Sequence, residues 1–141
     1  MNMPRPYGRF LLGAVVAGLG AGAAEAQSGL LTRPIDLPPI TLSSGAPLAE
    51  APYDLEAGKQ YSLTIKADGS AELAVQGADF FRNIWINEII ISDIEIRPLG
   101  VDSLEFDAAG EAEITFVTIR PGTFTLRIPG TTADTQAATF N

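Results

Sequence analysis

The chain has 141 residues, 46% of them hydrophobic, with no cysteine, no histidine and a formal charge of -8. Without thiol or imidazole it has no means of building a disulfide, a structural zinc centre or a cysteine- or histidine-based catalytic pair. Its acidic balance repels nucleic acid and anionic lipid, so neither is an expected partner.

Residues 1–26 read as a signal peptide. Arg5 and Arg9 supply a basic start, Phe10 to Gly22 is unbroken apolar and glycine sequence, and Ala24-Glu25-Ala26 has the small-x-small form of a cleavage site. Cleavage is expected after Ala26, and the protein is expected to be periplasmic or secreted. The apolar stretch of about 13 residues is shorter than the roughly 20 that a membrane span requires, so no span is expected after cleavage. Gly18-Leu19-Gly20-Ala21-Gly22 has a faint phosphate-loop look, but no strand precedes it. Losing two arginines and one glutamate with this segment moves the formal charge from -8 to about -9.

Residues 27–52 form an extended lead-in, rich in proline, serine and leucine, with one edge strand at most. Residues 53–141 read as one domain with one core. Tyr53 and Leu55 alternate with charges, Ala57-Gly58 turns the chain, and Tyr61, Leu63 and Ile65 alternate with Ser62, Thr64 and Lys66. Asp68-Gly69 predicts a hairpin into Glu72 to Gln76. Phe80, Phe81, Ile84 and Trp85 fit a short helical turn better than a strand, and extended character returns at Ile89 to Ile91 and Ile94 to Ile96. Leu104 and Phe106, then Ala112, Ile114 and Phe116, alternate with polar residues around a turn at Ala108-Ala109-Gly110. The strand with Phe124, Leu126 and Ile128 on one face follows Arg120-Pro121-Gly122, and a last apolar strand covers Ala137 to Phe140. About seven or eight strands at short spacing predict an all-β sandwich with Greek-key connections.

"FVTIRPGTFTLRI" resembles the C-terminal end of the cupredoxins, in which a Pro-Gly turn leads into a strand whose last residue is the copper-ligating cysteine. Gly122, Phe124 and Leu126 match the glycine and two apolar positions, and Ile128 stands where the cysteine would be. "YDLEAGKQYSLTIKADGSAEL" resembles the opening of the periplasmic copper-binding group, whose first ligating histidine would fall near Ala78-Asp79-Phe80-Phe81. The resemblance implies a cupredoxin-like fold and a copper cofactor. Blue copper needs thiolate and imidazole, and the two methionines, Met1 and Met3, lie in the signal segment. The expectation is therefore a degenerate copper site and no cofactor.

Three groups of residues are candidate sites. If Val101 to Ile119 is a hairpin, Asp107 faces Glu111 and Glu105 faces Glu113, so four carboxylates share one outward patch. Like charges opposite one another on a sheet are unfavourable, so the patch is either a solvated face, offset by Arg97 or Arg127, or a site for a hard cation or basic partner. Phe80, Phe81, Arg82 and Trp85 either plug the core or form a docking surface for a periplasmic protein partner. Asp93 and Glu95, with Asp102 nearby, could pair for acid/base work, but no nucleophile accompanies them and no serine lies in a G-x-S-x-G turn. The sequence thus predicts a non-catalytic binding or accessory module, with hard-cation binding through surface carboxylates, or a copper-family protein with an atypical site, as the alternatives.

Overall fold

The computed structural model describes residues 33–141; the expected signal peptide, with its expected cleavage after Ala26, lies outside the described residues. The first described stretch, "RPIDLPPITL", makes two short strands, β1 (Ile35–Asp36) and β2 (Ile40–Leu42). Pro38-Pro39 separates them, since proline has no N–H to give a ladder. Both run parallel to β3 (Gln60–Ala67), with Ile35 beside Tyr61 and Ile40 beside Ile65. Ile40, Leu42 and Leu48 are fully buried, so this stretch is part of the sandwich rather than a lead-in to it.

The remaining elements are β4 (Leu73–Gln76), α1 (Ala78–Arg82), β5 (Ile84–Ile91), β6 (Ile94–Ile96), β7 (Ser103–Phe106), β8 (Gly110–Thr118), β9 (Phe124–Arg127), a 3-10 turn (Asp134–Gln136) and β10 (Ala137–Phe140). One sheet has six strands in the order β1-β3-β8-β5-β6, with β2 also on β3; the other has four, β10-β9-β4-β7. The protein is an all-β sandwich of these two sheets. Among the described residues it has ten strands where about seven or eight were expected. The excess comes from pieces of two or three residues, such as β1, β2 and β6, too short to show a period of two. Tyr53 and Leu55 form no strand of their own; Tyr53 makes one parallel bridge to Phe140.

Two expected hairpins are corrected. β3 pairs with β8 along its whole length, whereas β4 lies in the other sheet beside β7 and β9. Likewise β7 pairs with β4, and β8 sits between β3 and β5. Asp68-Gly69 and Ala108-Ala109-Gly110 are therefore crossings between sheets. Alternation gives each strand an apolar face, and that face is satisfied equally by a hairpin partner or by the facing sheet. The antiparallel hairpins are β5–β6 and β9–β10. The other crossings give the non-sequential order expected of Greek-key connections.

The two crossing turns touch. A Cβ on Gly69, whose φ is +77°, would lie 2.9 Å from the Ala109 backbone nitrogen, so a side chain there would meet both strain and a clash. Next to it, the Ser70 N–H donates to the Asp68 carboxylate at 2.8 Å. Side-chain hydrogen bonds from Ser43 and Ser70 hold the Asp68 pKa down to about 2 from its ordinary 3.8. A lowered folded pKa favours the native state above the ordinary value and loses that effect as pH falls through the folded one. Asp68→Asn should therefore lower the melting temperature slightly at neutral pH, the carboxylate being exposed and screened. The gap to the parent should close between about pH 4 and pH 2. A gap that stays constant across that window would show that the Asp68 charge contributes nothing.

Between the sheets lie Leu63, Ile65, Ile114, Phe116, Val75 and Leu126, all fully buried. Toward one end the core becomes aromatic. Phe80 meets Phe140 at 4.3 Å between ring centroids, Phe81 at 5.5 Å and Phe116 at 5.6 Å, and Tyr53 stacks on Phe140 at 4.8 Å. The Tyr53 hydroxyl donates to the Pro38 carbonyl at 3.0 Å, and burial pushes its pKa up. The helical turn expected around Phe80 is present as α1, but it ends at Arg82; Ile84 and Trp85 begin β5 instead. β5 pairs with β8 from Ile84 opposite Thr118 onward, and that ladder outweighs the local helical spacing.

Candidate functional site

At its aromatic end the sandwich is open. Four segments surround a cleft of about 310 Å³: Leu55 to Ala57 ahead of β3, Phe80 with Asn83 and Ile84 around the end of α1, Thr118 to Phe124 between β8 and β9, and Phe140-Asn141 at the end of β10. Arg120-Pro121-Gly122 forms one wall, because it carries the chain from the six-stranded to the four-stranded sheet. Gly122 has φ +156°, which favours glycine, and a Cβ there would push aside the tip of the Phe124 ring, 2.7 Å away.

Hydrogen bonds fix the walls. The Ile119 and Arg120 N–H groups both donate to the Asn83 carbonyl, at 3.1 and 3.4 Å. The Thr118 hydroxyl donates to the Glu56 carbonyl at 2.6 Å, and the Glu56 N–H donates to the Tyr61 hydroxyl oxygen at 2.8 Å. Leu55 N–H donates to the Asn141 carbonyl at 2.9 Å, and the Asn141 side chain bonds Asp54 and Thr123. These polar groups are committed to holding the walls. What faces the space is mainly Leu55, Phe80, Ile84, Pro121, Phe124 and Phe140. Glu56 lies 3.8 Å from Lys59, while the exposed Arg120 guanidinium makes none of the four ion pairs among the described residues. An apolar cleft with one unpaired cation at its rim suits a ligand with an apolar body and an anionic end.

The four carboxylates expected to share one patch are divided between the sheets. Glu111, on β8, lies 3.5 Å from Lys66, and Glu113 accepts a hydrogen bond from the Ser62 hydroxyl at 2.7 Å. Glu105, on β7, and Asp107, just after it, lie against β4 instead, where Leu73 pairs with Phe106 and Ala74 with Glu105. That pairing brings in Glu72, and one carboxylate oxygen from each of Glu72, Glu105 and Asp107 lies within 4.8 Å of the others. All three side chains are exposed at the edge of the four-stranded sheet, unlike the wrapping loops that usually enclose a hard cation. Glu72 escapes sequence reasoning because its neighbours depend on which strand β4 pairs with.

Arg97 bonds Glu88 at 3.1 Å and lies 3.6 Å from Glu95, while Arg127 donates to the Ala133 carbonyl at 2.9 Å. The suggested acid/base group is thus tied elsewhere: Glu95 is paired with Arg97, and Asp102 accepts from the Gln76 amide at 3.2 Å. For the aromatic group the first of its two alternatives holds for the phenylalanines. Phe80 and Phe81 belong to the core, leaving Arg82 and Trp85 exposed. Phe81 and Arg82 also border a hollow of about 510 Å³ between α1 and Leu99 to Asp102, but Trp85 does not. Ile128, at the position the resemblance gives to a ligating cysteine, is a buried core residue. It lies four residues beyond Phe124, roughly 13 Å along an extended strand, so it is away from the cleft.

Fold and cleft together define a class: a two-sheet β-sandwich with a preformed apolar opening at one end. In comparisons with known proteins, no protein-family model and no curated protein matches the chain.

Proposed function

We propose that this protein is an exported, periplasmic or secreted, cupredoxin-like sandwich without a blue-copper site, serving as a non-catalytic binding module for a small amphiphilic anion. The observation that carries the reading is the preformed cleft, with Phe80, Phe124 and Phe140 in its lining and Arg120 at its rim. The export part rests on the Arg5 to Ala26 pattern. The cupredoxin part rests on the sandwich and on the Arg120-Pro121-Gly122 ending, and the absence of copper on a chain with no cysteine or histidine.

Titration with anilinonaphthalene sulfonate, an apolar fluorophore with one anionic group, tests the cleft. A saturable rise in fluorescence is expected, reversed by decanoate. Arg120→Ala should weaken binding by about tenfold through loss of a charge-assisted contact, Leu55→Glu should abolish it, and Trp85→Ala should leave it unchanged. Absence of saturable binding, or binding that ignores both cleft variants, would overturn the proposal. A tight, stoichiometric copper isotherm would overturn the claim about copper. The second reading, a hard cation held by carboxylates, is favoured by the convergence of Glu72, Glu105 and Asp107. It requires calcium binding that disappears in Glu105→Gln/Asp107→Asn.

A further inference from the structure

The sides of the sandwich differ in how their strand edges are protected. β1 and β2 cover the edge of β3, and the segment ahead of β3 covers β10: Leu48, Tyr53 and Asn141 N–H groups bond the Thr135, Thr139 and Tyr53 carbonyls at 2.8 to 2.9 Å. On the opposite side of the six-stranded sheet, β6 is the terminal strand, and all three of its residues are exposed. It is short and carries the charged Glu95, but it has no lysine, internal proline or bulge to blunt the edge further. The β5–β6 hairpin also overhangs the core. Ile89, opposite Ile96, is buried, but Ile96 is 41% exposed, and the next pair, Ile91 and Ile94, is 38% and 62% exposed.

We propose that this edge pairs with β6 of a second copy of the chain, antiparallel about a twofold axis through Ile96. Three features specify the occupant and the register. First, the two-residue turn Ser92-Asp93, with Ser92 at φ 54°, makes Ile91 and Ile94 the pair that exchange bonds. Alternation then turns the N–H and C=O of Glu95 and Arg97 to the free edge and those of Ile94 and Ile96 toward β5. Second, Pro98 favours an extended Arg97 before it, and its own missing N–H falls on the β5 side. Third, Ile94-Glu95-Ile96-Arg97 is self-complementary. With the axis at Ile96, Glu95 of each copy lies opposite Arg97 of the other as a hydrogen-bonded pair, and the Ile96 side chains meet across the close pair. An axis at Glu95 would set two glutamates against each other. Arg97 already lies 3.1 Å from Glu88 and 3.6 Å from its own Glu95, so the second Glu95 completes a charge network. The six-stranded sheet then runs continuously across both copies, and the overhanging isoleucines are covered.

The contact is short, so the dimer is weak and depends on concentration. The net charge of about -9 on each signal-cleaved copy opposes it at low salt, and measurements belong near physiological ionic strength, where the Debye length is about 8 Å. Sedimentation across a concentration series of the signal-cleaved protein should show a monomer–dimer equilibrium. Glu95→Arg should weaken association by about tenfold, ~1.4 kcal/mol over two symmetric pairs. Glu95→Pro, which removes an outward N–H and no bond to β5, should leave a monomer with an unchanged far-ultraviolet spectrum. In the parent protein, exchange of the Glu95 and Arg97 amides should slow as concentration rises. A monomer up to the solubility limit would overturn the proposal, whether the edge is solvated or takes another protein's strand; so would a dimer that persists in both variants or leaves those amides unprotected.

Discussion

Phe80→Ala lowers the unfolding free energy by about 3–5 kcal/mol, the range for removing a buried aromatic ring, and the melting temperature by on the order of 10–20 °C. The ring is 1% exposed and touches Phe81, Phe116 and Phe140, which come from the helix, the six-stranded sheet and the four-stranded sheet. Removing it therefore opens a cavity where three elements meet. Against a total stability of about 5–15 kcal/mol for a domain of this kind, the loss is large. Trp85→Ala, only five residues on, should change stability by about 1 kcal/mol or less, because the indole lies half exposed opposite Val117. Thermal denaturation of both variants checks the pair. Equal losses would mean that Phe80 does not join the sheets as described.

Gly77→Ala has the next largest expected effect, and its cause is contact rather than backbone strain. The φ of Gly77 is -175°, open to any residue, but a Cβ there would lie 2.5 Å from the Thr125 carbonyl oxygen and 2.6 Å from Leu126 Cδ2. The leucine end could rotate away; the carbonyl belongs to β9, paired along its length with β10, and has little room to move. The start of α1 must then back away from β9, taking Phe80 and Phe81 with it. Overpacking of this kind costs about 1–3 kcal/mol, and here it also widens the cleft that Phe80 lines. Gly77→Ala should therefore show both a lower melting temperature and weaker fluorophore binding. Gly45→Ala serves as the contrast: nothing lies within 4 Å of its Cβ. It should leave the cleft intact and cost only the strain of a positive φ. An unchanged melting temperature in Gly77→Ala would show that the helix does not approach β9 so closely.

Some of this was legible in the residues and some was not. The alternation of Tyr61, Leu63 and Ile65, of Ala112, Ile114 and Phe116, and of Phe124, Leu126 and Ile128 marks inward faces, and these residues are buried except for the partly exposed Phe124. Apolar periodicity, though, does not say which strand is the neighbour. Reading Val101 to Ile119 as a hairpin puts Glu105 opposite Glu113. In the structure they lie on different sheets, with Ala74 and Thr64 opposite them. Phe80 and Phe81 beside Arg82 have the composition of a docking surface, yet the short helix turns both rings inward. Leu48 and Ile40, scattered among prolines and serines, have no periodicity to reveal them, and are buried because their segment closes the side of the sandwich.

By itself, then, the sequence determined the all-β character, the want of cysteine and histidine and the turn at Arg120-Pro121-Gly122, because each follows from residue type or from spacing over a few positions. The tertiary structure alone decided that this turn crosses between sheets, that Phe80 and Phe140 come together beside it, that Arg120 stands at the rim of a cleft, and that Glu72 joins Glu105 and Asp107. The reason is that alternation records which face of a strand is apolar, whereas a site assembled from residues 55, 80, 120 and 140 depends on the order in which strands pair, and that order is set by long-range packing of the two sheets.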